Sequence, residues 1–236
     1  MAIDLSRKFQ GFNGTLTAAE EMNFKFLLAF AAAGMAPGCA KPRGELNAVA
    51  FDTVSDTLVR LKPYSGRVSR NGIAYRGRAE MMTDELLTAL LTEARALRPP
   101  SATGSDAVSL GCGAPIAREL AVSSKLSSFV REHAGPVEPT GIANFIYYDQ
   151  PGQSADPHVD TDLFAVNALV TLEHEYVTEP RAALVLFPPH SEPERFELVP
   201  GEVIIMFAAS CVHGLEDIRP GERISLVTFG FQPLGT

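Results

Sequence analysis

Two histidines and one aspartate in the second half of the chain could bind a single metal ion. His158 and Asp160 are two positions apart, and in an extended segment such residues point to the same side. His213 follows a strand-like apolar stretch and precedes a glycine. Two imidazoles and one carboxylate fill one face of an octahedron and leave positions open, which suits non-haem Fe(II) and O₂. The alternative for His158-x-Asp160 alone is a surface pair beside a turn, so His213 is what favours a metal site.

Arg223 and Ser225 follow His213 and begin an alternating strand, where they share one face. A guanidinium and a hydroxyl can together bind a carboxylate through charge-assisted hydrogen bonds, each worth about 1.5–3 kcal/mol. The alternative for Arg223 is a surface ion pair with Glu216 or Asp217. Because the strand is otherwise apolar and a buried arginine needs a partner, we favour a carboxylate-binding site.

In this order, these residues resemble the Fe(II)/2-oxoglutarate-dependent dioxygenases, with the core found in prolyl hydroxylases and isopenicillin synthase. The resemblance spans residues 141–234 and is carried by His158-x-Asp160, His213 and Arg223-x-Ser225. It implies that the first three bind Fe(II) and that 2-oxoglutarate chelates the iron beside O₂. It also implies that Arg223 and Ser225 hold the far carboxylate of 2-oxoglutarate.

Further pocket residues are expected on the strands beside the His-x-Asp motif. The resemblance implies a co-substrate contact from the preceding strand, where Asn144 and Tyr148 share one face. An aromatic residue packed in the core is the alternative for Tyr148. On the following strand, alternation places Asn167 toward the pocket, where it could contact substrate.

Arg70 and Arg76 belong to a positive stretch, residues 60–78, that contains no acidic residue. One interpretation is a lid whose arginines bind an anionic substrate through a carboxylate or phosphate group. The alternative is a solvated face of a hairpin.

The spacing of turn residues predicts a mainly β protein. Apolar stretches separated by Pro, Gly and Asp are typical of an antiparallel sandwich or barrel, including the jelly roll. The resemblance implies, more narrowly, a double-stranded β-helix, cupin-like core with flanking helices. The predicted strands are 142–149, 164–172, 182–187, 195–199, 202–207 and 223–231.

The first part of the chain is predicted to be richer in helix. We expect one domain over residues 1–236, in which 1–140 supports the site and sets substrate specificity, and 141–236 binds the metal and 2-oxoglutarate. The predicted helices are 17–34, one starting at Thr83, and 115–135; the predicted strands are 46–51 and 57–61; a hairpin over 67–78 turns at Asn71-Gly72, and 99–106 is a loop.

Composition narrows the functional classes. The net charge is −8 and tryptophan is absent, which disfavours nucleic acid and anionic membranes as partners of the whole surface. The three cysteines are far apart, which predicts no disulfide framework. The longest apolar run, residues 26–36, is shorter than the roughly 20 residues that cross a bilayer. With no signal peptide recognised at the N-terminus, we expect a cytoplasmic protein.

The expected activity is hydroxylation, or another oxidation of a C–H bond, in a small molecule or amino-acid derivative, with release of succinate and CO₂. The resemblance disfavours halogenation, because related halogenases lack a carboxylate where Asp160 stands. Desaturation, cyclisation, epoxidation, the substrate and the oligomeric state stay open. The alternatives are an oxidative nucleic-acid demethylase of the same superfamily, which would need a basic groove and base-stacking aromatics, and a non-catalytic metal-binding β-sandwich.

Overall fold

Within the described part of the chain, ten strands and three helices have defined bounds, and they follow from the alternating and helical apolar patterns. The computed structural model of the chain describes residues 71–98, 109–177, 179 and 182–234, together with 15–17, 24, 27, 28, 31, 52 and 54–58. The strands are β1 Ile73–Gly77, β2 Ser109–Cys112, β3 Val137–Tyr148, β4 Ala155–His158, β5 Val166–Glu175, β6 Ala183–Phe187, β7 Glu194–Glu197, β8 Val203–Met206, β9 Val212–Leu215 and β10 Arg223–Pro233. The helices are α1 Asp84–Leu97, α2 Pro115–Ala121 and α3 Ser124–Ala134, and a 3₁₀ turn spans Asp162–Phe164.

The strands form two antiparallel sheets. The larger sheet has the order β1-β8-β5-β10-β3-β2, and the smaller sheet has the order β4-β9-β6-β7. Connections that cross between the two sheets are typical of a jelly roll. The predicted double-stranded β-helix core with flanking helices is therefore confirmed. β1 and β2 come from the first 140 residues, so the larger sheet joins both predicted parts of the chain.

Both faces of the larger sheet are buried. Along β10, alternate side chains pack on opposite faces of this sheet. Val227, Phe229 and Phe231 pack into an apolar cluster with the helices. Ile224 and Leu226 point the other way, into a cluster shared with the smaller sheet. Because successive side chains on a strand point to opposite faces, one strand serves the helix layer and the space between the sheets. We call these the helix face and the inner face of the larger sheet.

The helices begin where polar side chains cap them. Thr83 precedes α1, and its side chain accepts a hydrogen bond from the Leu86 N–H, as its position before the predicted helix indicates. The single helix predicted over 115–135 is wrong, because the chain forms α2 and α3 instead. Ser123 caps α3 by accepting from the Leu126 N–H, and this local hydrogen bond competes with continuation of α2.

Two local predictions before β1 have different outcomes. Gly72 has φ +83°, and the Asn71 side chain accepts a hydrogen bond from the Ile73 N–H, so the turn at Asn71-Gly72 is confirmed. The strand predicted over 57–61 is wrong at Thr57 and Leu58, which are helical. Leu58 is fully buried against Val185 and Phe187, so tertiary packing overrides the local β-branched pattern.

Several other predictions fall outside the described residues. Phe24 and Ala31 are helical, as expected, but most of the helix predicted over 17–34, including the capping glutamate at position 20, lies outside them. So do the strand predicted over 46–51, the first arm of the hairpin at 67–70, and the loop at 99–106. No helix within the described ranges is long and apolar enough to cross a membrane.

Candidate metal centre

Pairing of β4 with β9 brings the two histidines side by side. His158 on β4 is the cross-strand partner of His213 on β9, and the ring centroids are 4.4 Å apart. Asp160 lies just beyond β4, where its backbone N–H donates to the Ala208 carbonyl at 2.9 Å. The three side chains predicted to bind metal are thus brought together by one strand pair and the turn that follows it.

Three donor atoms face a common point. His158 Nε2 and His213 Nε2 lie 3.6 Å and 3.8 Å from Asp160 Oδ1, and one ligand atom from each residue lies within 4.8 Å of the others. Metal bonds of about 2.1 Å at right angles place neighbouring donors about 3 Å apart, so a small inward movement would bring all three onto one ion. The donor set fits Fe(II), and it leaves the remaining positions to other ligands.

Backbone carbonyls orient both imidazoles for this role. His158 Nδ1 lies 2.7 Å from the Asp156 carbonyl oxygen, and His213 Nδ1 lies 3.0 Å from the Cys211 carbonyl oxygen. A carbonyl accepts but does not donate, so each Nδ1 carries the proton and each Nε2 presents a lone pair. Metal-binding histidines are commonly held in this way.

The two histidines differ in exposure. The His213 side chain is 5% exposed, whereas that of His158 is 46% exposed, so the cluster sits at an opening. Burial, followed by the nearby His158, lowers the pKa of His213 to about 4, although Asp160 and the Cys211 carbonyl act in the opposite direction. His213 is therefore neutral near pH 7, as a metal ligand must be.

Asn167 on β5 fixes the aspartate. Its Nδ2 donates to Asp160 Oδ2 at 2.9 Å, which leaves Oδ1 of the aspartate facing the histidines. Asn167 lines the cavity beside the metal centre, where alternation predicts it. Its own Oδ1 is buried and has no hydrogen-bond partner among the described residues. A contact between Asn167 and substrate stays a prediction.

A cavity of about 190 Å³ extends from the metal centre into the space between the sheets. Tyr148 and Thr228 contribute hydroxyl-bearing side chains that are 4% and 3% exposed. Tyr148 lines the cavity, while its contact with the co-substrate stays a prediction, and burial raises the pKa of its phenol well above its usual range. The rest of the wall is mainly aliphatic, and includes Ile146, Leu169, Leu184, Leu198, Met206 and Leu226.

Arg223 and Ser225 were expected in this cavity, and the structure places them on the helix face of the larger sheet instead. Both share the side of β10 that carries Val227. Arg223 is 49% exposed, and its guanidinium lies 3.3 Å from Asp149 and 3.8 Å from Glu175. The structure thus does not place them where the predicted contact with the far carboxylate of 2-oxoglutarate needs them, because strand alternation gives both residues the same side and that side packs toward the helices.

The sequence reasoning missed the partners that hold Ser225. Its hydroxyl is fully buried, donates to Glu173 at 3.0 Å and accepts from Arg98. Arg98 also pairs with Asp149 at 2.7 Å, and Arg95 pairs with Glu173. We call this set the helix-face ion network. Arg95 and Arg98 lie at the end of α1, and nothing in their spacing indicates this contact with a distant strand.

Of the remaining predicted site residues, Arg76 and Asn144 are described by the structure and are not among those that line the cavity. Arg76 donates hydrogen bonds to the Glu202 side chain at 3.2 Å and to the Glu197 carbonyl at 3.1 Å, so its guanidinium is bound to the end of β7 and to the residue before β8. Asn144 is the cross-strand partner of Thr228, which lines the cavity, but Asn144 itself is not among the lining residues. Arg70 lies outside the described residues.

Gly214 is a site residue that the sequence reasoning did not single out. A Cβ at this position would stand 2.6 Å from the Ala155 carbonyl oxygen and 3.3 Å from the Pro157 nitrogen. Real Cβ atoms do not approach backbone so closely, so only glycine allows β4 and β9 to pair at this distance. The sequence signal was present, since the glycine directly follows the predicted ligand His213.

Comparison with known proteins supports the fold. No protein-family model matches the sequence, and no curated protein matches it. Among solved structures, the α-ketoglutarate-dependent non-haem epimerase SnoN from nogalamycin biosynthesis has a TM-score of 0.57 at 15% identity over 72% of this chain and 82% of its own.

Two further structures agree with this result. A Pseudomonas putida prolyl-4-hydroxylase has a TM-score of 0.54 at 18% identity over 77% of this chain and 100% of its own. HygX from Streptomyces hygroscopicus, with nickel and 2-oxoglutarate bound, has a TM-score of 0.54 at 12% identity over 70% of this chain and 83% of its own. At these identities the similarity establishes the double-stranded β-helix fold that the chain shares with Fe(II)/2-oxoglutarate oxygenases.

Proposed function

We propose that this protein is an Fe(II)-dependent oxygenase that uses O₂ and a 2-oxo acid to oxidise a C–H bond of a small molecule. The observation that carries the proposal is the cluster of His158, Asp160 and His213, whose donor atoms converge at the mouth of a cavity. Similar structures include enzymes described as dependent on α-ketoglutarate, and one with 2-oxoglutarate bound. The fold and the donor set thus support the same class of reaction.

The roles of the chain's residues follow from their geometry. His158, Asp160 and His213 would hold Fe(II), which supplies the open coordination positions where O₂ and a 2-oxo acid react. Asn167 holds one Asp160 oxygen at 2.9 Å, so the other oxygen keeps facing the histidines. The aliphatic wall excludes water from the reacting groups, which protects a reactive oxidant from side reactions.

The overall reaction is balanced by one molecule of O₂. One oxygen atom enters the substrate, giving R–OH from R–H, and the other enters the shortened carboxylic acid that forms as the 2-oxo acid loses CO₂. With 2-oxoglutarate, the co-substrate that the sequence resemblance implies, the shortened acid would be succinate. A cavity of about 190 Å³ supports a small molecule rather than a polymer as substrate.

The test uses full-length protein freed of metal, reloaded with Fe(II) without oxygen, and then mixed with O₂ and a panel of 2-oxo acids. We expect Fe(II)-dependent CO₂ release that is abolished in His158→Ala and Asp160→Ala. His133→Ala is the matched control, because this histidine packs against the rings of Tyr75 and Phe129 and is not part of the cluster. CO₂ release that persists in both ligand variants would refute the proposal.

A further inference from the structure

We infer that the co-substrate of this enzyme is a 2-oxo acid with an uncharged, apolar tail, so that 2-oxoglutarate is a poor ligand. The inference rests on the proposed function and concerns the part of the cavity that receives the tail of the co-substrate. Three observations carry it: the position of Arg223, the partners of Ser225 and the chemistry of the cavity wall.

Arg223 is directed away from the cavity. It lies on the helix face of β10, is 49% exposed, and pairs with the carboxylates of Asp149 and Glu175. Arg223 is the first residue of β10 and pairs with Glu175 of β5, while Ile224 next to it is paired with both β3 and β5, so the sheet holds the backbone that directs Arg223 to the helix face. Turning the residue inward would need a register shift of one position, which would also turn Val227 and Phe229 out of their core.

Ser225 is occupied on the same face. Its hydroxyl donates to Glu173 at 3.0 Å and accepts from Arg98, and the residue is fully buried. Releasing this hydroxyl toward a ligand would break the hydrogen bond that it donates to the buried Glu173 and the one that it accepts from Arg98, which is costly. The hydroxyl and guanidinium expected to bind a carboxylate are both committed to protein carboxylates.

Where a carboxylate-binding arginine and serine were expected, the inner face of the larger sheet presents aliphatic side chains to the cavity. Ile224 and Leu226 occupy the inner positions of β10 that flank Ser225, and Leu226 lines the cavity with Leu169, Leu184 and Leu198. Among the described residues that line the cavity, none is lysine or arginine. Tyr148 and Thr228 can hydrogen-bond, but neither carries a charge. A carboxylate placed here would lose its hydration without gaining a counter-ion, which is unfavourable by several kcal/mol in proteins generally.

A branched aliphatic tail would bind favourably against this aliphatic wall, because the transfer of apolar surface out of water lowers the free energy. 4-Methyl-2-oxopentanoate is such an acid. Its reaction balances as before: 4-methyl-2-oxopentanoate, O₂ and R–H give 3-methylbutanoate, CO₂ and R–OH. The C1 carboxylate and the 2-oxo group, which would chelate the metal, are the same as in 2-oxoglutarate. The tail therefore selects the acid without altering the bonds that break and form.

The experiment measures binding without turnover. Full-length protein loaded with Fe(II) under anaerobic conditions is titrated with each 2-oxo acid, and the visible absorption of the iron chelate gives the Kd. The probes are 4-methyl-2-oxopentanoate, 2-oxoglutarate and 2-oxoglutaramate, whose terminal amide matches 2-oxoglutarate in size but not in charge. We expect 4-methyl-2-oxopentanoate to bind more tightly than 2-oxoglutarate by a factor on the order of ten or more, with the amide between them.

Variants of Leu226 and Arg223 test which residues cause the preference for an apolar tail over a carboxylate. Leu226→Arg places a guanidinium on the cavity side of β10, and we expect it to reverse the order of the two acids, whereas Leu226→Met should retain the wild-type order. Arg223→Ala should leave the Kd of 2-oxoglutarate unchanged, because Arg223 faces the other side of the sheet. Should Leu226→Arg fail to fold, the wild-type ranking and Arg223→Ala still decide the question.

Three outcomes would overturn the inference: tighter binding of 2-oxoglutarate than of the apolar acid by the wild type, weaker 2-oxoglutarate binding in Arg223→Ala, or weaker 2-oxoglutarate binding in Arg70→Ala. In each case Fe(II)-dependent CO₂ release would persist, so the proposed oxygenase function would stand. Absence of chelate absorption and of CO₂ release with every acid would instead refute the proposed function and this inference together.

Discussion

Asn167 donates a hydrogen bond of 2.9 Å to Oδ2 of Asp160, while the other carboxylate oxygen, Oδ1, faces His158 and His213. The amide thus holds the carboxylate so that a single oxygen is presented to a metal. Hydrogen-bond partners of metal ligands commonly contribute a factor of about 10–100 to metal affinity.

Asn167→Leu should therefore weaken Fe(II) binding by a factor of about 10–100 while the protein stays folded. The Kd would be measured by anaerobic titration of the metal-free protein. Asn144→Leu is the control, because it removes an amide of β3, whereas the hydrogen bond to Asp160 comes from Asn167 on β5. Unchanged metal affinity in Asn167→Leu would show that Asp160 needs no such support.

Gly214→Ala should disrupt the metal centre through the backbone. The added Cβ would meet the Ala155 carbonyl oxygen at 2.6 Å, so β4 must move away from β9 and carry His158 away from His213. We expect metal affinity to fall at least about tenfold, more than global stability alone would explain. Gly113→Ala is a matched control: its Cβ would be 2.9 Å from that of Ala143, far from the ligands, so it should lower stability and spare metal affinity.

Glu173→Gln should destabilise the protein by about 2–3 kcal/mol near neutral pH, because it removes the charge at the centre of the helix-face ion network. Burial raises the pKa of Glu173, but hydrogen bonds from Arg95 and Ser225 and the charges of Arg95 and Arg98 outweigh burial and lower it. A lowered folded-state pKa gives stability that is present above the unfolded value, about 4.3, and is lost as pH falls through the folded value.

The difference in unfolding free energy between wild type and Glu173→Gln should accordingly be large at pH 7 and shrink below pH 4 or so. Urea denaturation at a series of pH values measures it. Glu119→Gln, at an exposed position of α2, should show little change at any pH. A difference that stays constant into acid would contradict the lowered pKa.

His190 predicts a pH effect of opposite sign. Its Nε2 lies 2.6 Å from Asp56 and its Nδ1 lies 3.2 Å from Asp52, and the hydrogen bond that His190 donates to Asp56 is the main cause that raises the pKa of His190. The stability from this contact is fully present below the unfolded pKa, about 6.5, and is lost as pH rises through the raised folded value. Wild type should therefore lose more Tm than His190→Asn between pH 6 and pH 8.5.

Asparagine is chosen because His190 has φ 59°, which asparagine tolerates. His133→Asn serves as the control, since His133 contacts aromatic rings rather than carboxylates. Equal changes in Tm across this pH interval for wild type and His190→Asn would show that the ion pairs do not contribute to stability in solution.

The sequence by itself identified the three residues that the fold gathers in the candidate metal centre. A His-x-Asp motif places two ligands on one side of an extended segment whatever surrounds it, and a histidine before a glycine identified the third. The run of short apolar segments between turn residues likewise predicted an antiparallel sandwich or barrel, because the period of two and the turn chemistry are local properties, while the jelly-roll core in particular was implied by the resemblance. The cap at Thr83 and the turn at Gly72 are local in the same sense.

Only the tertiary structure decided which side of β10 faces the cavity. Both faces of β10 carry apolar side chains: Val227 and Phe229 lie on one face, and Ile224 and Leu226 lie on the other. Alternation alone therefore does not show which face lines the cavity. The choice depends on the turn after β9 and on the helices that cover one face, and a change of one residue in that turn would exchange the two sets. For that reason Arg223 was identified as a carboxylate ligand from its spacing, while the fold pairs it with Asp149 on the opposite face.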